Sequence, residues 1–302
     1  MPLSNISVQT RVAATTSNLG PGFDTLGIAL KLYNRTRLTP NSTRRFRIVS
    51  PLHPARTDTA TAMVQNAADC FFRHTRRRPF GCDVFLEGDV PIARGLGSSV
   101  TVRLGVIAGL DALCNTRVIP KRLLELLTAL EHHPDNAAPA VFGGFTVAGM
   151  VDASVRCISV RVSPRARFVA LMPRFEISTP MARKLIPVRF TKADTIHNLN
   201  RAALISAAFA SNDLAALPGL FEDRIHQPYR QQLIPQLSRV IQAGVAAGAL
   251  GGWLSGSGST IICLTLRNAK SVGAAMLHEL PEAEIRILSA ENHPYRVTRH
   301  PI

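Results

Sequence analysis

Four short segments of this chain set glycines beside side chains that can do chemistry. In PIARGLGSSVT, residues 91–101, Gly95 and Gly97 precede Ser98 and Ser99 where an apolar strand pattern gives way to an apolar helical one. A helix N-terminus presents unpaired N–H groups and a partial positive charge, so glycines there would let a phosphate approach the backbone. No lysine follows the glycines, which excludes a Walker A loop, and Val100 stands where the dinucleotide fingerprint needs its third glycine. A tight strand-to-helix turn with Ser98 as N-cap would account for the same residues.

The other three segments add polar groups. TTSNLGPGFDTLGIAL (15–30) puts a Gly-Pro-Gly turn between Asn18 and Asp24; EHHPDNAAPAVFGGFTV (131–147) ends a helix on Glu131 and then offers His133, Asp135 and Asn136. WLSGSGSTIICL (253–264) is a second glycine-rich turn feeding an apolar strand. Each alone reads as a turn. His132 and His133 are adjacent, without partners at ligand spacing, and read as structural.

These segments need a scaffold. Strand patterns cover ISVQTRVAAT, IALKLYNRTRL, RFRIVS and CDVFLEGDVP, and helical spacing covers TATAMVQNAADCFFRHT, the stretch after Ser98, and KRLLELLTALE. The second half mixes strands (SVRCISVRV, RFVALMP, TIICLTL, EIRILSA) with helices around 198–217, 233–249 and 268–280. A composition shift near 152–165 marks the expected domain boundary. At 302 residues and 46% apolar content the chain can bury a sizeable core. Its apolar runs are too short and glycine-rich to span a bilayer, and Met1–Gln9 lacks the features of a signal peptide, so the cytoplasm is the expected location. The five cysteines are scattered and never form C-x-x-C, so they read as buried small hydrophobes. The formal charge of +15 is densest at 35–47 and 73–79, where Pro, Ser and Thr are interspersed, and reads as a solvated basic surface.

Taken in order, N-L-G-P-G-F-D, R-G-L-G-S-S, H-P-D-N-x-A-P and S-G-x-G resemble the motifs of the GHMP kinases over about residues 6–265, most closely those of the homoserine-phosphorylating branch. STPMARKLIP (178–187) and DRIHQPYR (223–230) are further segments of that branch; Val100 and Thr101 stand where alanines are usual, and Ser259 replaces a common proline. The resemblance implies an α+β, two-domain GHMP kinase fold: a ribosomal-protein-S5-like, ATP-binding domain over 1–155 and a ferredoxin-like domain over 156–302. It implies that Pro91, Ile92, Ala93, Arg94, Gly95, Leu96, Gly97, Ser98, Ser99, Val100 and Thr101 wrap the ATP phosphates. Asn66 would touch the nucleoside, and Ser99 and Glu131 would hold Mg²⁺.

For the zwitterionic acceptor L-homoserine, Asp24 and Asp135 are implied for the ammonium and polar end, and Asn18 and Asn136 for hydrogen bonds near the hydroxyl. Arg183 and Arg230 are implied for the carboxylate, and Gly258 for the lining. Asn136 and Arg183 also carry the catalytic assignment, with no general base. The alternatives are a GHMP kinase for another small alcohol and a non-catalytic relative that binds RNA or senses a ligand. Against RNA stands the lack of an aromatic stacking motif. The expected partners are small molecules, with no membrane and no nucleic acid despite the basic charge; a homodimer is left open.

Overall fold

The structure, a computed structural model, describes residues 6–51 and 54–302; the first five residues of the Met1–Gln9 stretch read above lie outside it. The chain starts with β1 (Ile6–Ser17), β2 (Leu26–Pro40) and the short β3 (Arg47–Ile48), followed by α1 (Pro54–Thr75) and β4 (Cys82–Gly88). α2 (Ser98–Cys114), α3 (Pro120–Glu131) and α4 (Ala137–Phe142) precede the hairpin β5 (Phe145–Val151) and β6 (Ser154–Val160). A second unit runs through β7 (Arg167–Met172), α5 (Thr179–Lys184), α6 (Lys192–Ala210), α7 (Gln227–Arg230) and α8 (Leu237–Ala246) to β8 (Gly251–Leu254), β9 (Ile261–Thr265), α9 (Ala269–Glu279) and β10 (Glu284–Leu288). The last strand, β11 (Arg296–Pro301), returns to the first sheet.

The first sheet runs β11-β1-β2-β4-β3, with β5 paired to β2 and β6. The second is antiparallel in the order β10-β7-β9-β8. Counted within its own unit this is 4-1-3-2, the βαββαβ arrangement of a ferredoxin-like domain. The α+β expectation therefore holds.

α2 begins directly after the glycine-rich stretch 91–97, and its sequence explains its position. Val100, Leu104, Val106, Ile107 and Leu110 are fully buried, so the helix is enclosed rather than amphipathic. Its glycines let it lie directly on β2: a Cβ on Gly105 would come within 2.4 Å of the Thr36 hydroxyl, and one on Gly109 within 2.8 Å of Leu38. The start of α2 is thereby pinned above the sheet.

A second core cluster joins the two sheets around Trp253. Its ring stacks on Phe221 at 5.0 Å and meets Phe168 edge-on, and its indole N–H donates to Thr16 Oγ1 of β1 over 2.9 Å. Burying one side chain of this size contributes on the order of 3 kcal/mol, and here the burial bolts β8 to β1. No described helix is long and apolar enough to cross a membrane. Cys82 and Cys263 are buried as expected; Cys70, Cys114 and Cys157 are only half-buried against the core, and all five are free.

Several elements depart from the sequence reading. α4 lies in the stretch 131–147 read as a turn and β5 starts in it, β8 runs into the glycine-rich turn read from Trp253, and β11 was not anticipated. α6 starts earlier than expected because Thr191 caps it, its hydroxyl accepting from the Asp194 N–H at 3.0 Å. α8 is shorter than the expected 233–249.

Candidate active site

Loop 91–101 forms a cradle of backbone donors. Ala93, Gly95 and Gly97 take left-handed φ values of 53°, 74° and 68°. Five consecutive carbonyls turn inward and accept from the protein. Ala93 O accepts from Ile177 N, Arg94 O from Thr260 N, Leu96 O from Thr15 N and Gly97 O from Thr101 N, at 3.0–3.2 Å, and Gly95 O from Ser255 Oγ at 2.6 Å. Each engaged carbonyl is antiparallel to the N–H that follows it, so the N–H groups of residues 94–98 face the other way; among the described residues no N–H of 92–100 donates to the protein. A concave run of free N–H groups at the start of a helix is an anion site.

The structure corrects two details of the sequence reading. The residue capping α2 is Gly97, in the left-handed conformation, and Ser98 is the first helical residue rather than the N-cap. The glycines also do not clear space for a phosphate. A Cβ on Gly95 would lie 2.0 Å from Ser255 O, and one on Gly97 2.1 Å from Thr15 Oγ1, so both point into the protein. They allow the loop to press against β1 and the 255–258 turn. Leu96, Val100 and Thr101 are buried and can offer a ligand only backbone, whereas Ile92 is exposed. The Arg94 guanidinium donates to the carbonyls of Pro173 and Arg174 in the second unit.

Beside the cradle, Ser99 Oγ donates to Glu131 Oε2 at 3.0 Å, bringing the two expected metal ligands together. Both offer hard oxygen atoms, and a carboxylate with a hydroxyl suits a cation that keeps several waters and shares phosphate oxygens, so the pair fits Mg²⁺. Arg103 was not anticipated: its Nη1 donates to Glu131 Oε1 and to Leu130 O, both at 2.6 Å. Its only sequence signal was a cation one turn into an otherwise apolar helix. Asn66 lies with Arg103, Leu130 and His132 on the wall of a cavity of about 780 Å³, so the residue expected near the nucleoside shares a hollow with the partner of Glu131.

The second half of the site is built on the turn after β1. Asn18, Leu19, Gly20 and Asp24 all have positive φ. The Asn18 amide holds the turn closed, accepting from Asp24 N at 3.0 Å and donating to Gly256 O at 3.0 Å. Asp24 and Arg183, 159 positions apart, form a bidentate ion pair at 2.6 and 3.0 Å. Arg230 is buried, with Nη1 donating to Gly256 O at 2.9 Å and Nε to Ala182 O at 3.4 Å; among the described residues its Nη2 has no partner. Arg183 and Arg230 lie 5.4 and 5.3 Å over the same ring, that of Phe23. Burial, with the Arg183 charge adding to it, pulls the Arg230 pKa down to about 10.

Asp135 is buried and its Oδ1 accepts from His133 Nδ1 at 2.5 Å and from Asn136 N at 3.0 Å. Burial pushes its pKa up, but hydrogen bonds from His133 and Ser17 and the His133 charge prevail and hold it below the usual range. Asn136 bridges to β1, donating to Ser17 Oγ at 3.0 Å and accepting from Thr15 Oγ1 at 2.7 Å. Ligand atoms of Asp24, His133 and Asp135 lie within 4.8 Å of one another, so one cationic group fits among them. A Cβ on Gly258 would meet the side chains of Ile234 and Leu254 at 2.9 Å, so that face of the residue is turned to the core.

The family models for the GHMP kinases N terminal domain and C terminal domain match residues 62–144 and 201–282. The homoserine kinase of Moorella thermoacetica is 36% identical over 88% of this chain and 90% of its own. That of Caldicellulosiruptor bescii is 34% identical over 86% and 85%. The fold is similar to the crystal structure of homoserine kinase from Cytophaga hutchinsonii, with a TM-score of 0.87, 24% identity and 97% of each chain covered. It is also similar to L. major mevalonate kinase in complex with R-mevalonate, with a TM-score of 0.72, 16% identity, and 95% of this chain and 96% of that one covered.

Proposed function

The chain belongs to the GHMP kinase family, and from that premise we propose that it is a homoserine kinase, moving the γ-phosphoryl group of ATP to the side-chain hydroxyl of L-homoserine to give ADP and O-phospho-L-homoserine. The observation that carries the substrate is that Asp24 lies within 4.8 Å of Asp135 and is paired with Arg183, while Arg183 and Arg230 lie over one ring, that of Phe23. A zwitterion needs both signs of charge at short range, which a hydroxy acid such as mevalonate does not.

Phosphoryl transfer is mainly positioning plus electrostatic stabilisation. The outward N–H groups of 94–98 are oriented to hold the phosphates. Ser99 and Glu131 would hold Mg²⁺, which when bound screens the phosphate charge. Arg103 Nη1 holds Oε1 of the Glu131 carboxylate, whose Oε2 accepts from Ser99. At the acceptor, Arg230 Nη2 is available to the α-carboxylate; Arg183 and Asp24, paired with each other, would offer their remaining donors and lone pairs, the first to that carboxylate and the second, with Asp135, to the ammonium and the hydroxyl end. Asn136 has both ends of its amide engaged by Thr15 and Ser17, so its part is to fix Asp135 against β1. A carboxylate held below its usual pKa is a weak base, which supports leaving the general base unassigned.

A panel of small alcohols coupled to ADP release tests the reading, with filter binding of RNA at rising salt alongside. ADP release that depends on homoserine and exceeds that with mevalonate at least tenfold is the expected result. Equal turnover of all alcohols would reject the substrate, and salt-sensitive RNA binding without turnover would favour the non-catalytic alternative.

A further inference from the structure

The segment DRIHQPYR, residues 223–230, places a fully buried histidine between two loops of the acceptor site, and no step above uses it. His226 Nε2 lies 2.9 Å from the carbonyl oxygen of Gly20, and its Nδ1 lies 3.3 Å from Arg230 Nη1. A carbonyl can only accept and a guanidinium can only donate. The two partners therefore fix the ring: the proton sits on Nε2, the lone pair on Nδ1, and the imidazole is neutral. A second proton would set an N–H against the arginine, and burial acts in the same direction, holding the pKa of His226 below its ordinary value.

The ring's surroundings are rigid. Phe23 stacks on it at 5.1 Å. The backbone N–H of His226 and that of Gln227 donate to Asp223 Oδ2 at 2.9 and 2.6 Å. Asp223 Oδ1 accepts from Asn198 Nδ2 at 2.6 Å, and the same amide reaches Pro21 O at 3.2 Å. Arg230's other recorded bonds run to Gly256 O and Ala182 O, both in the second unit. His226 thus links the Arg230 side chain directly to the Gly20 turn that carries Asn18 and Asp24; a second route runs through Gly256 O, which accepts from both Arg230 Nη1 and Asn18 Nδ2.

We propose that His226 is a positioning residue for the substrate carboxylate: its Nδ1 lone pair holds one Nη1 hydrogen of Arg230, setting the plane in which Nη2 meets the ligand, while its Nε2–H registers that plane against the Gly20 turn. The inference rests on the reading of Arg230 as a carboxylate ligand. His226 itself touches no substrate atom. Its contribution is orientation, which matters because a guanidinium fork is strong only when coplanar with its carboxylate.

Two amide substitutions separate the ring's two roles. In His226→Asn the side-chain oxygen falls where Nδ1 lies, so Arg230 keeps an acceptor while the Gly20 bond is lost. In His226→Gln the amide N–H reaches Gly20 O, and Arg230 loses its acceptor. The expected result is a rise in KM for homoserine of about tenfold in His226→Gln and a clearly smaller one in His226→Asn. In both variants kcat and ADP affinity by calorimetry stay within about threefold of wild type. Equal KM effects in the two variants, or parallel losses of ADP affinity, would overturn the proposal in favour of a purely structural histidine. Arg230→Ala with unchanged KM would overturn the carboxylate reading itself, and is told apart from the first failure because there Arg230→Ala still raises KM. Independently of activity, nitrogen-15 NMR of the wild-type histidines, with His226→Gln supplying the assignment, should show the Nε2–H tautomer; an Nδ1–H pattern would reject the geometry.

Discussion

Replacing Gly95 by alanine tests whether loop 91–101 is held in shape from behind. The new Cβ would stand 2.0 Å from the carbonyl oxygen of Ser255 and 3.0 Å from the backbone of Gly258, where ordinary contact begins near 3.4 Å, so the loop must retreat by about 1.4 Å. The residue is also left-handed, at φ +74°, which costs a non-glycine residue about 1–2 kcal/mol. Gly219 is the internal control: its φ is +81° and no atom lies within 4 Å of where its Cβ would go. Gly219→Ala should therefore lose only the conformational share, about 1–2 kcal/mol, and Gly95→Ala about 2–5 kcal/mol. The sharper readout is ADP binding by calorimetry. A shift of more than 1 Å in a set of fixed N–H donors should weaken it about ten- to hundredfold, whereas Gly219→Ala should bind ADP as wild type does. Equal ADP affinity in the two variants would refute the idea that this loop presents the phosphate donors.

Glu131→Gln keeps the shape but removes the charge expected to hold the metal and leaves Arg103 without its carboxylate; kcat should fall about 10²–10³-fold, and near-normal Mg²⁺-dependent turnover would sink the metal assignment. Arg183→Ala and Arg230→Ala should each raise KM for homoserine by about one to two powers of ten while ADP affinity stays within a few-fold, and lysine should rescue only partly. Wild-type homoserine kinetics in both alanine variants would dismiss the clamp. His133 gives a pH signature: burial lowers its pKa, but the hydrogen bond and charge of Asp135 outweigh this and raise it above 6.5. Its contribution to stability is then complete below 6.5 and is lost as pH rises through the raised value. The Tm gap between wild type and His133→Asn should shrink from about pH 6 to about pH 9, and a gap that widens would contradict the His133–Asp135 pairing.

The candidate groups were legible because glycines, amides and carboxylates cluster within short local segments, and the folded chain brings those segments together around loop 91–101 and the Asn18–Asp24 turn. Ser99 and Glu131 were paired through the family resemblance; in the fold one lies in the first turn of α2 and the other ends α3, the next helix. Long-range partnerships were not legible. Asp24 and Arg183 were both assigned to substrate, yet they face each other across 159 positions, a distance at which spacing carries no information. Arg103 and His226 were invisible for a related reason: each acts through another side chain, and a residue type does not reveal its partner. The glycines of the loop could be read, but not the direction in which their absent side chains would point. Among the elements, β5 hid behind the Gly143–Gly144 pair, and β11 lacks apolar alternation because all six of its residues are exposed.

β11 also sets a schedule. Its pairing of Ile6 with Pro301 and Arg11 with Arg296 completes the outer edge of β1, whereas the other edge of β1 is covered as soon as β2, which ends at Pro40, has been made. Some 256 residues separate Pro40 from Arg296, and a ribosome needs roughly 10–50 s to add them. Through that interval β1 shows a bare hydrogen-bonding edge, the feature through which nascent chains join one another. The nascent first domain is therefore most open to strand exchange with its neighbours on the same messenger, and substitutions that weaken β11 should appear first as a loss of yield during synthesis rather than as a change in the kinetics of the enzyme that survives.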